Sequence, residues 1–315
     1  MRIGVVMDPI ESINMKKDST FEMIWQAQKL GWDIEYLEMN DLSIDNGIAL
    51  GDARQLTAHQ GINHWFDLGD SRRIKLGDLD AILMRKDPPF DMEFVYSTYI
   101  LELAEEQGSL VVNSPKALRD CNEKAYCAWF PHVCPDTIIT RKSSDFRAFL
   151  EKHQDIIVKP LDGMGGASIF RVQTGSPNVG VIIETLTNHE STYAMAQRYM
   201  PEIIDGDKRI LMVNGEPVPF VLARLAAKGE TRGNLAAGGR GVAQPISKAD
   251  LHIASVVGPE LVKRNIMFVG LDVIGDRLTE INVTSPTCIK EINDACGTNI
   301  ALDLLKAIET KLLSK

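Results

Sequence analysis

Asp272, Glu280 and Asn282 fall within residues 268 to 283, where apolar and polar positions alternate on both sides of Gly275-Asp276-Arg277. Alternation of period two around a turn signal predicts an antiparallel hairpin. A two-residue loop would set Leu271 opposite Glu280, whereas a three-residue loop sets Leu271 against Ile281 and Val269 against Val283, leaving one face wholly apolar. The hydrophobic pattern selects the second. Asp272 then lies across from Glu280 and Gly270 across from Asn282, so the two carboxylates and the amide share one face beside a residue with no side chain. Facing carboxylates repel unless a cation sits between them, and an oxygen-only set suits a hard divalent ion that also keeps phosphate oxygens and waters. The plainer alternative is a solvated sheet face, because charges also alternate on half-exposed strands.

A second group of residues could handle phosphate. Lys159 stands at a predicted strand end and opens Lys159-Pro160-Leu161-Asp162-Gly163-Met164-Gly165-Gly166-Ala167-Ser168. The backbone N–H groups around Gly163, Gly165 and Gly166 could wrap phosphate oxygens. The Walker spacing is absent and a strand, not a helix, follows, so neither a P-loop nor a dinucleotide fingerprint applies. A plain hairpin turn is the competing reading. Arg209 and Arg224 lie on the two arms of a hairpin at Asn214-Gly215, and Arg232 and Arg240 lie in a glycine-rich stretch. All four could supply cations to a phosphate-rich site. Lys124 and the run Gln197-Arg198-Tyr199-Met200 have ordinary structural explanations when taken alone.

Positioning these groups requires several elements. Residues 2 to 7 read as a buried strand, 18 to 30 as an amphipathic helix and 34 to 38 as a second strand. The pattern recurs as a strand at 79 to 84, a helix over about 91 to 107 ended by Gly108, and a strand at 110 to 112, which predicts a parallel sheet covered by helices in a domain of residues 1 to 120. From Asp136 the period shortens to strand 137 to 140, helix 143 to 152, strand 156 to 159 and strand 168 to 172, a small α+β unit within 121 to 200. A strand at 194 to 199 and the two hairpins follow, the hairpins falling within 201 to 315. Residues 226 to 241, rich in glycine and poor in bulky apolar groups, read as a mobile loop over a site.

Composition narrows the function classes. A chain of 315 residues with 44% apolar content can bury two or three cores, and a formal charge of −9 disfavours a nucleic-acid partner. The apolar start at Ile3 is broken by Asp8 and Pro9, and no run approaches the roughly 18 residues of a membrane span, so a cytoplasmic protein with no membrane partner is expected. Cys121, Cys127, Cys134, Cys288 and Cys296 form no C-x-x-C pair and match no usual zinc spacing; reduced thiols are expected.

The segments Arg85-Lys86-Asp87-Pro88-Pro89-Phe90, 159 to 168, 229 to 241 and Thr279-Glu280-Ile281-Asn282-Val283-Thr284-Ser285-Pro286-Thr287, in that order, resemble the bacterial glutathione synthetases of the ATP-grasp ligase family. The resemblance implies an α/β and α+β protein with the ATP-grasp fold: a parallel-sheet N-terminal domain, a small lid and a C-terminal subdomain. It implies ATP on Lys124 and Lys159, with Gln197, Tyr199 and Met200 along adenine and Asp207 near the ribose. It implies Mg²⁺, or Mn²⁺ in its place, on Asp272, Glu280 and Asn282. Arg85, Asn282, Ser285 and Thr287 would hold γ-glutamylcysteine, and glycine would be the second substrate. Arg209, Arg224 and Arg232 would offset charge during transfer while loop 226 to 241 closes, and the assembly would be a homotetramer. Other carboxylate-amine ligases of the fold, or a nucleotide-binding protein of synapsin type without turnover, are the alternatives.

Overall fold

Runs of period two and stripes of period 3.6 alternate along the chain, and the computed structural model gathers them into three sheets among the residues it describes, 1–61, 63–163, 165–226 and 238–314. The first sheet holds β1 (Arg2–Val6), β2 (Asp33–Leu37), β3 (Leu42–Asp45), β4 (Ile48–Ala58), β5 (Phe66–Lys75), β6 (Ala81–Met84) and β7 (Leu110–Val112). Its order is β3-β4-β2-β1-β6-β7, with β5 paired to β4. The expected parallel sheet is β2-β1-β6-β7. Helix α1 (Ser19–Lys29) starts where the Asp18 carboxylate accepts the Phe21 N–H at 2.6 Å, and α2 (Met92–Glu106) starts on Asp91 in the same way. Residues 42 to 75, to which the sequence pattern assigns no element, form an antiparallel extension. Ala49, Gly51 and Ala53 keep the buried face of β4 small over its first half, and Leu37 and Leu76 fill the space at Gly51, so no run of bulky residues marks that face.

A short helix α3 (Pro115–Asp120) leads to the second sheet, built from β8 (Thr137–Thr140), β9 (Asp155–Pro160), β10 (Phe170–Gln173) and β11 (Ala194–Arg198). The sheet is antiparallel in the order β10-β9-β11-β8. Helices α4 (Ser143–His153) and α5 (Val179–Thr187) pack on it through a separate core that includes Phe146, Ile156, Val158, Val172 and Ile183.

The third sheet runs β15-β14-β12-β16-β17 and uses β12 (Asp207–Val213), β13 (Glu216–Pro217), β14 (Phe220–Leu225), β15 (Arg240–Pro245), β16 (Phe268–Ile274) and β17 (Arg277–Asn282). Asn214 and Gly215, both at positive φ (49° and 85°), make the two-residue turn from β12 to β13. Helix α6 (Lys248–Lys263) covers its apolar face with Ile253, Val257 and Leu261. Helix α7 (Ile289–Cys296) follows, and α8 (Ile300–Leu313) returns to pack on α1 of the first sheet.

The β16–β17 hairpin pairs Gly270 with Asn282, Leu271 with Ile281 and Asp272 with Glu280. The turn differs from the expected one: Ile274 pairs with Arg277, so Gly275-Asp276 is a two-residue loop, and the additional residue is a bulge at Thr279. Its hydroxyl donates to the Asp272 carbonyl at 3.0 Å, giving that backbone oxygen a local partner. Of the stretch expected to be a loop, Arg240 and Gly241 lie in β15 opposite Leu225 and Arg224. Residues 227 to 237, Arg232 among them, lie outside the described residues. No helix of the described residues is long and apolar enough to cross a membrane.

Candidate active site

The cross-strand register lines up one face of the third sheet. Leu222 of β14, Arg209 of β12, Asp272 of β16 and Glu280 of β17 form one row, and Asp207 faces Arg224 in the next. Arg209 donates from Nε to Asp272 Oδ1 at 2.5 Å and from Nη2 to Oδ2 at 3.0 Å. The Arg224 guanidinium reaches the same carboxylate at 2.9 Å and Asp207 at 2.5 Å. A side chain at Gly270 would meet Arg209 Cδ at 2.8 Å and Pro286 at 3.0 Å, so the glycine leaves the path along which Arg209 reaches Asp272.

Glu280 is held from the other side. Lys159, at the end of β9, donates to its Oε1 at 3.1 Å, and Lys124 lies at 3.9 Å. Both lysines are buried. Lys124 is fixed because residues 123 to 133 line the open edge of β17: the Ile281 N–H donates to the Glu123 carbonyl and the Leu278 N–H to the Val133 carbonyl, both at 2.8 Å. Its ammonium also pairs with Glu123 and donates to the Gly163 carbonyl at 2.6 Å. In the glycine loop, Gly165 and Gly166 take φ of +64° and +80°, a region side chains disfavour.

The site is charge-dense and balanced: Arg209, Arg224, Lys124 and Lys159 face Asp207, Asp272, Glu280 and Glu123. Burial alone would raise the Asp272 carboxyl, but Arg209 and Arg224 outweigh it and bring it down to about 2. Glu280 is likewise pushed up by burial and pulled below its ordinary value by Lys159 and Lys124. Burial lifts Asp207 to about 7 against the pull of Arg224, with Asp272 and Glu280 adding to the rise. The buried Asp207 Oδ1 has no hydrogen-bond partner among the described residues. Such an orphaned acceptor beside two guanidiniums fits a site completed by a polar ligand.

Other expected residues fall around this centre. Arg85, buried at the end of β6, donates to Thr20 Oγ1 at 3.1 Å and to the Pro286 carbonyl at 3.0 Å, beside Ser285 and Thr287. Burial lowers its pKa. Asn282 Nδ2 donates to the Gly270 carbonyl at 3.2 Å. On β11, Gln197 is buried and donates to Thr137 Oγ1; Met200 is buried beyond the strand, and the Tyr199 ring lies 3.7 Å from the Arg171 guanidinium.

Sequence reasoning does not single out Glu123, Cys288 or Asn113. Cys288 sits at φ +89° before α7, and burial raises its thiol pKa, which disfavours the nucleophilic thiolate. Asn113 is a buried hub: its Oδ1 accepts the N–H groups of Met267 and Phe268, and its Nδ2 donates to the carbonyls of Phe268 and Val283. It fixes one end of the carboxylate hairpin to the first sheet. No spacing signal marks an asparagine whose partners lie more than 150 residues away.

Comparison with known proteins agrees with this geometry. The prokaryotic glutathione synthetase N-terminal domain matches residues 1–119, and the prokaryotic glutathione synthetase ATP-grasp domain matches residues 123–297. A glutathione synthetase of Vibrio vulnificus (strain CMCP6) is 60% identical over 312 residues, 99% of this chain and 98% of that protein. Among solved structures, the D-cycloserine synthetase DcsG superposes with a TM-score of 0.70 at 13% identity, over 99% of this chain and 100% of that one. The D-alanine–D-alanine ligase from Bacillus anthracis complexed with ATP gives 0.60 at 16%, over 100% and 97%. These two likenesses concern the fold, which is the ATP-grasp fold. Two adjoining family models and a full-length relative at that identity coincide with the lysine, carboxylate and glycine-loop geometry, and on these grounds the chain belongs to the prokaryotic glutathione synthetase family.

Proposed function

We propose that the protein joins γ-glutamylcysteine to glycine at the expense of ATP, making glutathione, ADP and phosphate. The observation that carries this reading is the family match over the whole chain, and the 3.1 Å contact of Lys159 with Glu280, where the glycine-loop sheet meets the carboxylate sheet, supports its nucleotide half. A carboxylate is not aminated directly, because its oxygen is a poor leaving group. In this reading the cysteinyl carboxylate attacks the γ-phosphorus of ATP and ADP leaves; the glycine amine then attacks the acyl carbon, loses a proton and expels phosphate. The protein's part is positioning and charge compensation, with no side chain acting as nucleophile.

Lys124 and Lys159 would turn from Glu280 to the phosphates, aided by the N–H groups around Gly163, Gly165 and Gly166. Because the buried charges already balance, a polyanionic nucleotide needs divalent cations with it. Asp272, Glu280 and Asn282 are the oxygen donors that would hold Mg²⁺, or Mn²⁺, which when bound neutralises phosphate charge. Arg209 and Arg224 keep Asp272 ionised and offset charge on the transferring group, each worth about 2 to 4 kcal/mol of barrier. Gln197, Tyr199 and Met200 would border adenine, Asp207 the ribose side, and Arg85, Asn282, Ser285 and Thr287 the dipeptide; Arg232 would add a further cation.

The same reading divides the chain at 1 to 120, 121 to 200 and 201 to 315, supported by one sheet in each part. It places the enzyme in the cytoplasm, supported by five free cysteines, and makes it a homotetramer in which the exposed Met92, Tyr96 and Tyr99 of α2 would be covered. The test is to incubate the purified chain with ATP, Mg²⁺, γ-glutamylcysteine and glycine. A product with the mass of glutathione, formed one for one with ADP, is expected. ADP release with no tripeptide, or with D-alanine serving better than glycine, would overturn the assignment.

A further inference from the structure

Where β4 turns into β5, the side chains of His59, His64 and Asp67 converge. His59 Nε2 lies 2.7 Å from Asp67 Oδ2 and His64 Nε2 lies 3.0 Å from Oδ1, so both imidazoles address one carboxylate through the same ring atom. The rings are stacked, with centroids 5.2 Å apart and planes 23° from parallel. The three ligand atoms fall within 4.8 Å of one another. We infer that His59, His64 and Asp67 form a surface site for a divalent transition ion of the zinc class, apart from the phosphate-handling centre.

Two imidazoles and a carboxylate are a donor set that suits zinc, copper and nickel rather than Mg²⁺. The His59 hydrogen bond holds the Asp67 carboxyl below its ordinary value, so the carboxylate brings a negative charge for a cation to meet. Ligand atoms about 2 Å from a tetrahedral ion stand about 3.3 Å apart, so each imidazole would move a few tenths of an ångström, roughly, away from the carboxylate, while all three ligand atoms already lie within 4.8 Å of one another. Solvent supplies the remaining position, since all three side chains are at least partly exposed.

The frame beneath the cluster is fixed. Gln28 clamps Ala58 through both its carbonyl (2.9 Å) and its N–H (2.7 Å), and Thr57 pairs with Asp67 across the strands. The His59 N–H donates to the Trp65 carbonyl at 2.7 Å, closing the loop. Gly61 comes so near that a Cβ there would sit 2.7 Å from the His64 carbonyl oxygen. Ligands on a pinned frame lose little freedom when an ion binds. Zinc spacings sought among cysteines do not detect this set, because its ligands are joined by a hairpin register instead of a short motif.

The test uses the full chain with excess Mg²⁺ and ATP present, so that the phosphate centre is occupied, and titrates zinc alone against a chromophoric chelator at neutral pH. One zinc per chain at micromolar affinity or tighter is expected. Loss of an outer-sphere partner already costs about 10- to 100-fold, so His64→Gln and Asp67→Asn should each weaken that zinc at least about tenfold. Ligase turnover in zinc-free buffer should not change in either variant. No zinc bound by the wild-type chain, or the same stoichiometry and affinity in all three proteins, would show that the cluster is an ion pair and nothing more.

Discussion

The third sheet meets its two neighbours in opposite ways. Toward the first sheet the junction is apolar and continuous: one core runs from Val6, Ile82 and Phe94 to Ile210, Leu271 and Ile281, and another from Ile3 and Tyr36 to Leu211, Phe268 and Leu304. Toward the second sheet the core stops, and polar links take over: Lys159 to Glu280, Lys124 to the Gly163 carbonyl, and Asn122 to the Leu161 carbonyl at 3.2 Å. Apolar burial is non-directional and lost only when surface is exposed to water, whereas a few polar links can be exchanged for links to a ligand. The first junction therefore makes a platform and the second a seam that a nucleotide can enter and a lid can close.

The contrast can be broken at either junction. Glu280→Gln removes the negative charge that holds both lysines and that a divalent ion would meet; turnover should fall by a factor on the order of 10⁴, about 5 kcal/mol of barrier, with the circular dichroism spectrum unchanged. Retention of a tenth of the activity would dissociate Glu280 from the chemistry. Phe268→Ala opens the apolar junction instead. Its ring is 2% exposed, with Arg85 5.7 Å from its centroid, and truncation should cost about 3 to 4 kcal/mol in urea unfolding while the variant keeps its affinity for ATP. A stability change under about 1 kcal/mol, the size of an ordinary surface effect, would show that the junction is not the platform described.

The smallest change sharpens the picture on the lid side. Asp155 takes a bidentate hold on Arg171, and the hydrogen bond from Arg171 depresses its carboxyl pKa. A depressed folded-state pKa contributes stability above the unfolded value of about 3.8 and loses it as the pH falls through the lower folded value. Asp155→Asn should thus cost about 0.5 kcal/mol at pH 7, a modest figure because solvent screens the exposed pair. The difference between the variant and wild type should close as the pH falls through the lowered folded-state value, below which the carboxyl is protonated in both folded and unfolded chains. Thermal unfolding across that range reads the effect; a gap that widened in acid would mean that the Asp155 carboxyl binds its proton more tightly in the folded chain.

Much of this was readable from residues because it is local. Alternation in 268 to 283 placed Asp272 opposite Glu280, even though the route differed: the sequence suggested a longer loop, and the chain instead uses a tight turn and the Thr279 bulge. Hydrophobic pattern fixes which residues face inward, but not where an additional one is inserted. The β4–β5 arm carries a weak signal because the buried face of β4 is alanine and glycine apart from Leu56 and β5 is largely exposed. Asn113 escaped because its four bonds cross between sheets, and the pairing of Arg209 with Asp272 because a cation's partner is set by tertiary register.

The return of α8 to α1 has a consequence for biogenesis. Phe21, Met23 and Ile24 share a core with Ile300, Leu304 and Ile308 as well as with Ile34, Tyr36 and Leu56, so β2 and β4 can cover part of the apolar side of α1 early, and the rest stays open until α8 has left the ribosome. The lid, in contrast, draws its core from one unbroken stretch between Phe146 and Ala196 and can consolidate as soon as that stretch emerges. In a series of stalled nascent chains, protease resistance should appear at the middle of the polypeptide before its beginning.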